Sequence, residues 1–304
     1  MAWLKRIVVF LAVNVLVMVT ISLLLHLFNI QPYLTARGLN YTSLMAFCLL
    51  WGMGGAFISL ALSRLMARWM MGVQVIDPHA SEPQLQHLVQ RVQQLAQGAG
   101  LTTMPQVGLY ESDDINAFAT GPSKSRSLVA VSTGLLRRMN QSETDGVLAH
   151  EVAHIANGDM VTMTLVQGVV NAFAMFLARV IAFAVSQVAA GRSSDEEESG
   201  FSSPAYFVTQ FLLEIIFMIL GSLVVAWFSR WREYRADRGG AALAGRERMI
   251  AALEALRRDY DRVDASAQPA AQTLKISSRG SGLFRFFSTH PSLEDRILRL
   301  QRGA

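Results

Sequence analysis

Residues 150–190 read HEVAHIANGDMVTMTLVQGVVNAFAMFLARVIAFAVSQVAA, a polar motif that runs straight into a long apolar tract. The motif, His150-Glu151-Val152-Ala153-His154, has the form H-E-x-x-H. On a helix its i, i+4 spacing sets the two imidazoles one turn apart on the same face. Two ligands of a tetrahedral metal site are thereby provided. Glu151 falls about 100° round the helix from His150, beside the ion rather than on it, where a carboxylate can deprotonate a water at the metal. The tract that follows, Met160 to about Ala190, is long enough to cross a hydrocarbon layer roughly 30 Å thick, although Arg179 lies inside it. The stretch predicts a metal-bearing helix at the mouth of a membrane span.

The rest of the chain fits that setting. Of 304 residues, 52% are hydrophobic and 16% charged, against roughly 25% charged in an ordinary soluble domain. The composition argues against a soluble globular protein, and with a mean hydropathy of +0.31 a wholly disordered chain is excluded. The single cysteine, Cys48, excludes an intramolecular disulfide and a thiolate metal cluster, and no G-x-S-x-G elbow occurs. Further apolar runs cover Ile7 to Leu25, about Leu39 to Leu62 with Gly52, Gly54 and Gly55 on it, and Ala205 to Phe228 with Glu214 inside it. The first is too long for a signal peptide and no small-x-small cleavage site follows it. Arg179 and Glu214 either pair across a hairpin or snorkel separately to an interface.

The formal charge of +4 points to a membrane rather than to nucleic acid, because the basic residues flank the spans. Lys5 and Arg6 precede the first run, Arg64 and Arg68 follow the second, and Arg230, Arg232 and Arg235 follow the fourth. The loop 191–204 carries Asp195, Glu196, Glu197 and Glu198 and belongs on the opposite side. Both termini and the motif are therefore expected in the cytoplasm. The domain scheme is an N-terminal transmembrane hairpin over 1–69 and a first cytoplasmic part over 70–159. A second hairpin over 160–228 and a second cytoplasmic part over 229–304 complete it. In the first cytoplasmic part the patterns predict a helix over Glu82–Gln97, short strands over Gln106–Tyr110, Asn116–Ala119 and Ser127–Ser132, and a helix started by Ser142 with Asp145 as its capping-box partner.

A catalytic zinc needs a third protein ligand. Glu233-Tyr234-Arg235-Ala236-Asp237 follows the fourth run as the histidines precede the third, so an antiparallel hairpin returns it to the same membrane face. Glu233 then fits as ligand and Asp237 as an acceptor orienting a ligand histidine.

The HEVAH helix between apolar segments, the later E-x-x-x-D, Asn116-Ala117-Phe118-Ala119 and Thr289-His290-Pro291 resemble the HtpX family. These are bacterial membrane-integrated zinc metalloproteases related to CaaX prenyl-protein endopeptidases and to the gluzincins. The resemblance covers nearly the whole chain. It implies one Zn2+ per chain held by His150, His154 and Glu233, with Glu151 as catalytic base and Asp237 in support. It also implies that Asn116 and Ala117 lie on an edge strand that binds substrate backbone, and it brings the His-Pro segment near the active site. There His290 either donates a hydrogen bond to the oxyanion or is a structural histidine. Arg296, on a helix capped by Ser292, either supports it or lies on the surface.

The expected fold is a mostly α-helical integral membrane protein, with four transmembrane helices and a cytoplasmic α+β gluzincin-like zinc protease domain containing a small sheet. The expected function is hydrolysis of peptide bonds in unfolded, misfolded or membrane-associated proteins at the cytoplasmic face of the bacterial inner membrane, within protein quality control and the stress response. Partners are substrate proteins and the lipid bilayer, not nucleic acid. The rivals are a CaaX-type prenyl-protein endopeptidase and a non-hydrolytic scaffold or transporter with a structural zinc. The segment from about Asp264 to Gly282, rich in Ser, Ala, Gln and Gly, reads as a flexible linker before it reads as a lid.

Overall fold

The computed structural model describes residues 16, 19–27, 34–35, 38–78, 82–190, 204–266 and 288–303. Three helices among them are long and apolar enough to cross a membrane. They are α1 (Tyr41–Met70), α5 (Asp159–Ala190) and α6 (Pro204–Ala244). Most of the expected first span lies outside the described residues. Residues 19–27, which overlap its end, are helical, and Ile21 is buried beside Gly54 of α1. The segment expected as a linker or lid also lies almost wholly outside them.

α5 packs against both α1 and α6, with Gly52 of α1 against Ala172 of α5. Arg179 of α5 pairs directly with Glu214 of α6, and its guanidinium stands 5.4 Å from the Phe47 ring centre of α1. Pairing across the hairpin, not separate snorkelling, is the arrangement found. A two-strand ladder, β1 (Leu34–Thr35) with β2 (Gly38–Leu39), precedes α1.

The remaining elements form a compact α+β unit. They are β3 (Gln74–Val75), α2 (Pro83–Gly98), β4 (Gln106–Tyr110), β5 (Ala117–Ser123), β6 (Arg126–Ser132), α3 (Thr133–Arg138), α4 (Gln141–Asn157), α7 (Arg246–Ser266) and α8 (Leu293–Gln301). The sheet order is β3-β4-β6-β5, with β4 and β6 parallel and the other two pairings antiparallel. Leu128, Val129, Ala130 and Val131 of β6 are all buried, as befits a central strand covered on both faces. Its apolar layer joins Leu88, Val92 and Leu95 of α2 to Leu148, Val152 and Ile155 of α4. β5 is the edge strand next to β6 and packs against α4 and α1.

The cap of α4 differs from the sequence expectation. Asn140 is the N-cap and Glu143 its reciprocal partner, two residues ahead of Ser142 and Asp145. Asp145 is buried instead and bridges Arg91 at 2.8 Å and Arg248 at 3.3 Å. Two cationic partners make the inward-facing carboxylate tolerable, so it is not free to cap. At the other end Gly158 takes the left-handed conformation, φ 72° and ψ 28°. A glycine reaches it without penalty, and α5 begins at the very next residue. The metal-motif helix and the membrane helix are thus joined by one residue.

Candidate metal centre

α6 is a single helix of 41 residues, about 60 Å long at 1.5 Å per residue. It continues past the expected end of the span at Phe228 and lies along α4. Gly240 allows the close approach. A Cβ there would stand 3.1 Å from the backbone nitrogen of His150. The contact lays the Glu233-to-Asp237 turn over the two histidines.

His150, His154 and Glu233 are buried, and each offers a ligand atom within 4.8 Å of the others. The two Nε2 atoms are 3.1 Å apart. Glu233 Oε2 is 3.5 Å from His150 Nε2, and its Oε1 is 3.4 Å from His154 Nε2. Donors bound at 2.0–2.1 Å in a tetrahedron stand about 3.3 Å from one another. The nearest donor pairs therefore have the spacing of neighbouring ligands of a four-coordinate metal site, with one Glu233 oxygen toward each histidine.

The opposite ring nitrogens are occupied. Asp237 Oδ1 is 3.0 Å from His150 Nδ1, and Asp159 Oδ2 is 2.7 Å from His154 Nδ1. Each aspartate accepts from Nδ1–H and leaves the Nε2 lone pair for an ion. Both aspartates are themselves held by arginine. Arg296 Nε and Nη2 donate to Asp237 at 2.8 and 2.6 Å, while Arg235 Nη2 donates to Asp159 Oδ1 at 2.7 Å. Burial pulls both imidazoles down, but the facing carboxylates outweigh it. The result lies above the ordinary value for His150 and reaches about 9 for His154, through Asp159 and Glu233. An incoming cation meets concentrated negative charge.

The structure places the other expected residues around this group. Glu151 follows His150 on α4, half-buried and outside the three. His290 is largely exposed, yet its Nδ1 is 3.1 Å from Glu233 Oε2. Its segment is tied down because Arg230 donates to the Ser288 carbonyl at 2.7 Å. Ala117 opens edge strand β5 opposite Val131, and the Asn116 carbonyl accepts from Ser132 N–H at 2.9 Å. Arg296 is buried, which rules out the surface alternative.

Asp159 has no role in the sequence analysis, and Arg235 enters it only as a basic flank of the fourth run. Asp159 lies five residues after His154, off the face that i, i+4 reasoning inspects, and Gly158 reads only as a helix stop. The available signal was an aspartate immediately after that stop, at the start of an otherwise apolar helix.

Residues 80–304 match peptidase family M48. Over 303 residues the chain is 49% identical to the protease HtpX homolog of Thiobacillus denitrificans, covering 98% of this chain and 99% of that one. It is 48% identical over 304 residues to the homolog of Bacillus subtilis, with the same coverage. Against protease HtpX of Thioalkalivibrio sulfidiphilus the identity is 48% over 299 residues, 98% of each chain. Among solved structures, Ste24p of S. mikatae superposes with a TM-score of 0.63 at 15% identity over 98% of this chain. This chain spans 66% of that one, and the likeness is one of fold.

Proposed function

The chain belongs to peptidase family M48 and to its HtpX proteases, and from that premise we propose how this membrane-bound metallopeptidase works and where. The ion is Zn2+, one per chain, held by Nε2 of His150, Nε2 of His154 and the carboxylate of Glu233. The observation that carries this reading is the buried group of these three residues, whose nearest donor pairs are 3.1, 3.4 and 3.5 Å apart, the last two through different oxygens of Glu233. Two histidines and one carboxylate with an open position suit a catalytic zinc rather than a structural one. When bound, zinc supplies Lewis-acid polarisation of the attacking water and of the scissile carbonyl.

The chain's own groups do the rest. Glu151 removes the proton from the attacking water and delivers it to the departing amine nitrogen, so no covalent enzyme intermediate forms. His290 Nδ1–H points to Glu233 Oε2 at 3.1 Å, and in its imidazolium form the ring also donates from Nε2 to the oxyanion. Asp237 and Asp159 fix the imidazole tautomers. An extended substrate adds along β5 near Asn116 and Ala117, where pairing through main-chain groups tolerates many sequences. Such recognition suits unfolded or misfolded proteins and exposed parts of membrane proteins.

Residues 70–159 and 229–304 form one protease unit beside the membrane hairpins, since α4, α6, α7 and α8 share packed contacts. The basic flanks Arg64, Arg68, Arg230 and Arg232 favour the cytoplasmic face of the inner membrane for it.

The test compares purified wild type with Glu151→Gln for zinc content and for cleavage of an unfolded model protein, before and after metal removal and restoration. One zinc in both, with metal-dependent cleavage in wild type and a loss of at least roughly a hundredfold in the variant, is the expected result. Undiminished cleavage by Glu151→Gln overturns the base assignment, and zinc without cleavage in either favours a scaffold.

A further inference from the structure

Where α6 leaves its apolar run at Phe228, Trp231, Tyr234 and Arg238 follow at i, i+3 and i+7 on the side that meets α8. Between the two helices lies a cavity of about 150 Å³ whose walls include these residues with Asp237, Arg296 and Arg299. The Arg299 guanidinium carbon sits 3.9 Å from the Tyr234 ring centre. This cation–π contact positions the guanidinium over the ring. Arg296 is neutralised by Asp237. Among the described residues Arg238 and Arg299 have no carboxylate partner. The cavity therefore holds uncancelled positive charge on a preorganised wall.

Its height along α6 is equally telling. At 1.5 Å per residue, Trp231, Tyr234 and Arg238 stand about 4.5, 9 and 15 Å beyond Phe228. The headgroup layer occupies roughly the first 5–7 Å outside the hydrocarbon. Trp231, 46% exposed, lies at that level and Tyr234 just above it, while Arg238 starts roughly 8–10 Å above the layer and its long side chain, tilted toward the helix N-terminus, leans back to it. Tryptophan and tyrosine are the side chains an interface favours. We infer that this cavity binds the phosphate of an anionic lipid headgroup, with Arg238 and Arg299 as its donors. A guanidinium edge matches the paired oxygens of a phosphate, and lipid is the phosphate source that reaches this level. The site adjoins the metal centre, since Asp237 in its wall, held by Arg296, faces His150 Nδ1.

The full chain, purified in neutral detergent, is examined by native mass spectrometry with added dioleoylphosphatidylglycerol or dioleoylphosphatidylcholine. Inorganic phosphate and polyglutamate serve as competitors. Wild type and the control Arg137→Gln, altered at an exposed arginine of α3, retain phosphatidylglycerol in preference to phosphatidylcholine. R238Q/R299Q weakens that retention roughly thirtyfold, whereas R238K/R299K keeps most of it and helical content is unchanged throughout. Equal retention of the two lipids, or undiminished retention by R238Q/R299Q, overturns the site. Displacement by inorganic phosphate at equal concentration reassigns the cavity to soluble phosphates, and displacement by polyglutamate reassigns it to an acidic protein. Either result overturns the lipid.

Discussion

Each candidate ligand histidine is backed by an aspartate and then an arginine: His150 by Asp237 and Arg296, His154 by Asp159 and Arg235. Such outer partners hold the ring and its tautomer, and removing one typically costs 10–100-fold in metal affinity. Asp159→Asn is expected to weaken zinc binding by about that factor, measured by chelator competition, while Glu151→Gln leaves affinity near the wild-type value. Equal affinity for Asp159→Asn and wild type would remove Asp159 from the site. The two chains of support were unequally legible. Glu233 and Asp237 are one helical turn apart and follow a span, so spacing and topology exposed them together. Arg296 reaches the site from another helix near the end of the chain. Only tertiary packing reveals that its guanidinium meets Asp237.

At the scale of elements, the decisive object is the contact between α4 and α6. The sequence shows α6 as an apolar run that stops near Phe228, because the charges Arg230, Arg232 and Glu233 begin there. In the structure the helix simply continues to Ala244, since those charges lie along a protease unit rather than in lipid. Gly240→Ala is expected to push α6 off His150, because the new methyl would lie 3.1 Å from a backbone nitrogen and 2.9 Å from Met249 Sδ. Overpacking of this kind costs roughly 1–3 kcal/mol. A lowered Tm in detergent together with loss of metal is the outcome that bears this out, and retention of both would show that the helices have room. Strands were legible where alternation or a continuous apolar run marked them, as in β4 and β6. β5 runs four residues beyond its expected end at Ala119 because Thr120 to Ser123 extend the ladder through a bulge. β3, two residues long, is too short to carry a periodicity.

Over the whole molecule, α6 holds two charged sites in fixed relation. Glu214 pairs with Arg179 between the membrane helices, and Glu233, about 28 Å further along at 1.5 Å per residue, closes the candidate metal site. A continuous helix transmits rotation. One alanine inserted between Phe228 and Ser229 turns one site relative to the other by about 100°, so both cannot keep their partners. The insertion is therefore expected to lower the Tm by breaking one of them. Replacing the membrane pair by R179L/E214L removes the conflict without leaving a lone charge, a change that is often neutral or stabilising for buried ion pairs. In that background the same insertion should cost distinctly less, because non-additivity of this kind reports a physical coupling between sites. Thermal unfolding of the four proteins, with zinc content as a second reading, measures the coupling. An equal cost in both backgrounds would mean that the helix yields between the sites, and that the membrane hairpin does not set the register of the metal centre.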